Sequence, residues 1–138
     1  MKNNGFWITE YLAYHLPWLG SIAFIILNVA AMIIYPGGTY QNSELEYYVF
    51  TQNYFSDLGR TLTMGNGSNF YSSFLFNNGL FLIGILTCLF YYYLPNLFTK
   101  NRKAHFVSII GSIIAFTSGI SFVGIALTPS NLYLDEHM

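Results

Sequence analysis

Residues 17–35 read "PWLGSIAFIILNVAAMIIY", a stretch without one charged side chain. A hydrocarbon core about 30 Å thick takes ~20 apolar residues in helical form to cross. Pro17 suits the first helical position, where its missing N–H costs nothing. Pro36, Gly37 and Gly38 follow as a stop signal. The stretch therefore predicts a membrane-spanning helix, and the question is whether it stands alone.

It does not. No Asp, Glu, Lys or Arg occurs from Tyr11 to Ser43, from Thr61 to Thr99, or from Ala104 to Leu134. The chain of 138 residues is 54% hydrophobic, 20% aromatic and 8% charged. Soluble domains carry roughly 25% charged residues. The alternation expected of a membrane β-barrel is missing from these runs. The expected fold is all-α: a polytopic membrane helical bundle with three transmembrane helices. The spans are 17–35, 72–94 and 105–127, with an interfacial N-terminus over 1–16, a loop over 37–71 and a tail over 128–138. The residue before Pro95 and before Pro129 is pushed away from helical geometry, which ends spans two and three.

Lys100, Arg102 and Lys103 lie between spans two and three. Positive charge favours the cytoplasmic side. That places the N-terminus inside and both the 37–71 loop and the tail outside, in a multi-pass protein of a prokaryotic plasma membrane. Tyrosines and tryptophans gather near the expected span ends, where amphipathic rings favour the headgroup level. A net charge of −1 offers no footprint for nucleic acid. Cys88 sits in an apolar run and reads as a small hydrophobe. His15 and His105 fall at span edges with no metal-ligand spacing around them, so neither metal nor cofactor is expected.

The loop is too long for an idle connection. "SELEYYVFTQNYFSDLG", residues 43–59, predicts a short interfacial helix, with Ser43 and Glu46 as a capping box and Gly59 closing it. Asp57 would then stand in the last turn, against the helix dipole. That position asks for compensation, from Arg60 or from a ligand. Span polarity points to the same side of the membrane. At ~1.5 Å per residue, Asn28 lies ~12 Å below the outer end of its span, and Asn77 roughly 7–8 Å below. Thr117, Ser118 and Ser121 lie roughly 9–15 Å deep in span three. The expected site is a polar pocket open to the outside. Asn28, Asn77, Asn78, Ser118 and Ser121 form its walls, and Ser56, Asp57, Arg60 and His137 its mouth. The competing reading makes the same amides and hydroxyls glue between helices. Gly111, Ala115 and Gly119, four apart, mark span three as a closely packed central helix or as a contact between copies.

"YPGGTY" at 35–40, "YFSDLGRT" at 54–61, "FLFNNGLFLIGIL" at 74–86 and "GISFVGIALTPSNLYLDEH" at 119–137 together resemble the bacterial and archaeal multi-pass family catalogued as domain of unknown function 998. The resemblance implies correspondence at Ser56, Asp57, Leu58 and Gly59, then at Asn77, then at Gly124, Pro129 and His137. It also implies a six-span whole of which this chain is the N-terminal half. It implies no reaction. Three functions are open: a protein binding a small polar molecule or lipid headgroup, a structural subunit, and an intramembrane lipid hydrolase. The hydrolase would use Asp57 and His137 and be completed by a further C-terminal half.

Overall fold

A computed structural model of the chain describes residues 4–132, with side chains over 11–132. Three long α-helices carry it: α1 (Asn4–Ile34), α2 (Phe70–Tyr93) and α3 (Arg102–Leu127). All three are long and apolar enough to cross a membrane. Two 3-10 turns, Phe55–Gly59 and Leu94–Phe98, complete the helical set, and no strand occurs among the described residues. The expected all-α architecture is what forms.

The elements differ from expectation in instructive ways. Helix α1 runs straight through Pro17 instead of beginning there, so the expected interfacial segment joins the span. Proline there withdraws the N–H that Ala13 would receive. The 43–59 stretch does not form one helix. Only Phe55–Gly59 is helical, and in 3-10 form. Side chains outcompete the helix upstream. Asn53 Oδ1 accepts from Val49 N at 2.9 Å, while Asn53 Nδ2 donates to Gly38 O at 2.8 Å. Gly38 N donates to Leu45 O at 2.7 Å, folding 38–45 back as a turn. Gly37, at φ 110°, makes the reversal after α1, a conformation side chains resist.

Helix α2, not α3, is the central element. It packs against both α1 and α3, which make little contact with each other. Close approach to α3 is allowed where two glycines meet. A Cβ on Gly84 would come 2.8 Å from Gly119 O. The row read as one packing stripe therefore divides. Gly119 is buried against α2, Ala115 is half-buried, and Gly111 faces open space.

The buried core lies at the loop end: Ala31, Tyr35, Leu58, Phe76, Leu80 and Ala126, contributed by all three helices and the 3-10 turn. The rest of the helical surface is apolar and exposed. Only 11% of the most apolar window of α3 is buried in the protein. At the basic end, Tyr14 OH donates to Tyr93 O at 2.9 Å, and His105 Nδ1 lies 2.9 Å from Pro95 O. Asn101 caps α3 by accepting from Lys103 N at 3.0 Å and Ala104 N at 3.1 Å.

Candidate functional site

A 3-10 turn laid across other helices leaves carbonyls without intrahelical donors. Here the first turns of α2 supply them. Asn69 Nδ2 reaches Asp57 O at 3.3 Å, Leu58 O at 3.1 Å and Arg60 O at 2.8 Å. Ser72 Oγ donates to Leu58 O at 3.3 Å. Asn77 Nδ2 donates to Gly59 O at 3.0 Å. Four successive carbonyls are thus met by side chains from one helix. Gly59 has to be glycine for this seat to close. A Cβ there would stand 2.7 Å from both Asn77 Oδ1 and Phe76 Cδ1. Phe55 adds an edge-on ring contact to Phe76 at 5.1 Å.

Asp57 is buried, at 3% exposure. Its Oδ2 accepts from Tyr54 N at 2.9 Å and from Asn53 Nδ2 at 3.2 Å. The acid therefore stands at the start of a 3-10 turn, where free N–H groups welcome it, and not in the last turn of an α-helix. The compensation sought from Arg60 comes from a backbone amide and Asn53. Arg60 is half-buried at the rim and its Nε donates to Leu62 O at 3.2 Å. Ser56 is half-buried in the same turn.

Tyr35, one residue past α1, stands over this seat. Burial pushes its phenol up to about 12; the Asp57 carboxylate adds to the rise and Arg60 opposes it. Tyr48 meets the Tyr35 ring edge-on at 5.7 Å, and burial, then Asp57, raises its phenol too.

The expected pocket residues do not gather in one place. Asp57, Arg60, Ser56 and Asn77 come together, at the 3-10 turn. Asn28 is buried under the loop end; its Nδ2 donates to Phe24 O at 2.7 Å, and its Oδ1 finds no protein partner. Asn78 is exposed, with Nδ2 donating to Phe74 O at 2.7 Å. Ser118 and Ser121 are exposed on α3, and Ser121 Oγ donates to Thr117 O of its own helix at 3.0 Å. These serines do not wall a common pocket with Asp57. Their side of α3 is turned from α2, which the depth estimate, blind to rotation about the axis, did not register. His137 lies outside the described residues.

Asn77 and Asn78 do share a hollow. With Phe81, Ala126 and Leu127 they line a groove of about 270 Å³ between α2 and the end of α3. Its polar atoms are amides and its remaining walls are apolar.

Asn53, Asn69, Ser72, Thr61 and Asn131 were missed. Thr61 N donates to Asn131 Oδ1 at 2.8 Å, and Asn131 Nδ2 donates to Thr61 Oγ1 at 2.7 Å, latching the segment after α3 to the loop. Asn69 stands where the sequence signals a helix N-cap, but its side chain makes no capping bond and reaches back to the 57–60 carbonyls, which that signal does not foretell. Comparisons with protein-family profiles, with curated proteins and with solved structures gave no match.

Proposed function

We propose that this chain is a multi-pass membrane protein whose groove between α2 and α3 binds an uncharged, hydrogen-bonding group, the headgroup of a lipid or a small polar molecule. The carrying observation is the pair Asn77 and Asn78 at one apolar groove. Amides at membrane depth are costly unless they find partners; each of these two spends an N–H on a carbonyl, and both line the groove. Amides without charge suit a hydroxyl- or amide-bearing ligand better than an ion. Asp57 holds the wall: its acceptor is engaged by Tyr54 N and Asn53, which favours a binding role for the site over hydrolysis. The basic segment at the opposite end supports an orientation with the groove outside, in the plasma membrane of a prokaryote. Kinship with the domain of unknown function 998 family belongs to the same reading. It draws support from the contact of Gly59 with Asn77, two residues of its motifs.

Asn78→Ala is the cleanest test, because this side chain bonds only to its own helix. Lipids and polar metabolites retained by the purified protein are measured by native mass spectrometry. The expected outcome is loss of a retained species at unchanged thermal stability. An identical retained set in the variant overturns the reading.

The open side of α3, with Gly111 and Gly124 facing empty space, favours a second reading as a subunit that receives another helix. Cysteines placed there and crosslinked in the membrane test that reading.

A further inference from the structure

Two hollows lie along α3 at the basic end, and one helix face carries residues of both, marking out a track. Arg102, Lys103, Phe106 and Val107 line the lower one. The upper one, about 350 Å³, is lined by Tyr91, Tyr92 and Pro95 across from Ile109, Ser112, Ile113, Phe116 and Thr117. Arg102, Phe106, Ile109, Ile113 and Phe116 recur at spacings of four and three, so they occupy a single helix face. From Arg102 to Phe116 that face rises ~21 Å. It is apolar above and cationic at its foot, with Lys100, Arg102 and Lys103 all exposed. Asn101 already satisfies the first amides of α3, so charge at this end resides in side chains, not in a free helix terminus. Tyr91 and Tyr92 border the upper hollow.

We propose that this track binds one anionic phospholipid from the leaflet touching the basic end. Its phosphate meets Arg102, Lys100 and Lys103, its ester region lies beside Phe106, and one acyl chain passes the two tyrosines and fills the upper hollow to Phe116 and Thr117. Charge complementarity selects the occupant. A second copy of this chain would bring its own three cations to the same foot, where like charges repel. A zwitterionic lipid gains less from three cations than an anionic one. The site is independent of the groove at Asn77 and Asn78, which lies at the other end of α2.

The protein is purified from nanodiscs holding equal phosphatidylglycerol and phosphatidylcholine, and bound lipid is counted by native mass spectrometry. Phosphatidylglycerol is expected to be retained in excess. Arg102→Gln with Lys103→Gln should cut that excess by roughly fivefold for each charge removed. Ile113→Trp, at a residue 64% exposed and so tolerant of bulk, should block the hollow and lower retention with every cation in place. Equal retention of the two lipids overturns the proposal. So does an excess that survives Ile113→Trp, since the charge would then act without the groove, or a disulfide-linked dimer of Ile113→Cys, which would make a second copy the occupant. Melting temperature and helicity unchanged in either variant separate lost binding from lost fold. Asn78→Ala leaves this retention intact if the two sites are separate.

Discussion

At Asp57 a single carboxylate holds three parts of the loop together, because Asn53, its partner, also bonds Gly38 and Val49. Replacing Asp57 with Ala orphans the Tyr54 amide, which is part-buried, and one N–H of Asn53, which is buried. Hydrogen bonds to charged groups contribute ~1.5–3 kcal/mol. Asp57→Ala should therefore lower stability by ~2–4 kcal/mol and Asp57→Asn by less, since the amide keeps an acceptor oxygen. Unfolding of detergent-solubilised protein measures the difference. Gly59→Ala fails for a steric reason instead, at ~1–3 kcal/mol for an overpacked site, read in the same assay. A titration adds a signature. The Tyr35 phenol holds its proton more tightly in the fold, at about 12 against an ordinary 10.0. The native state then binds more protons than the unfolded one between those values, so stability falls as pH rises through that window. Tyr35→Phe should flatten the alkaline loss. The sequence singled out Asp57 as an outlier among apolar runs but misplaced it on its helix. Its surroundings are set by Asn53 four residues away and by Asn69 twelve residues away, and no local pattern foretells the second.

At the level of elements, hydropathy located three helices long and apolar enough to cross a membrane, because solvation by lipid dictates length and apolarity directly. Pro36, Pro95 and Pro129 marked where the helices end, whereas Pro17 did not mark a start. Which helix would be central was not readable. All three spans have similar hydropathy, and lipid-facing and protein-facing sides are both apolar. The Gly111–Ala115–Gly119 row shows the difficulty. A four-residue row is inclined to the helix axis, so its members drift around the surface, and only Gly119 ends up against α2. This makes a paired prediction. Gly84→Val or Gly119→Val should weaken the α2–α3 contact by ~1–3 kcal/mol, as overpacking does. Gly111→Val should leave it unchanged, because nothing lies within 4 Å of a Cβ there. Disulfide crosslinking between engineered cysteines on α2 and α3 reports the contact. Equal effects at Gly84 and Gly111 would contradict a central α2.

For the whole molecule, the distribution of burial decides how the fold opens. Helices α1 and α3 make little direct contact and are joined through α2 and the loop end, where the buried residues concentrate. The basic end is held by fewer ties, Tyr14 to Tyr93 and His105 to Pro95 among them. Regions dense in buried contacts open at higher free energy than sparse ones. Amides of 57–63, in a loop, should therefore exchange with deuterium more slowly than the short 3-10 turn Leu94–Phe98, reversing the usual ranking of long loops. The Thr61–Asn131 latch makes the ranking testable. Asn131→Ala removes both of its hydrogen bonds, exposing Thr61 N and freeing the chain after α3. The expected result is faster exchange at 60–63, by about tenfold for ~1.4 kcal/mol of lost protection, with residues 94–105 unaffected. Uniform acceleration along the chain would mean that the three helices open together, and that the loop end is not the separate, most stable unit which its burial implies.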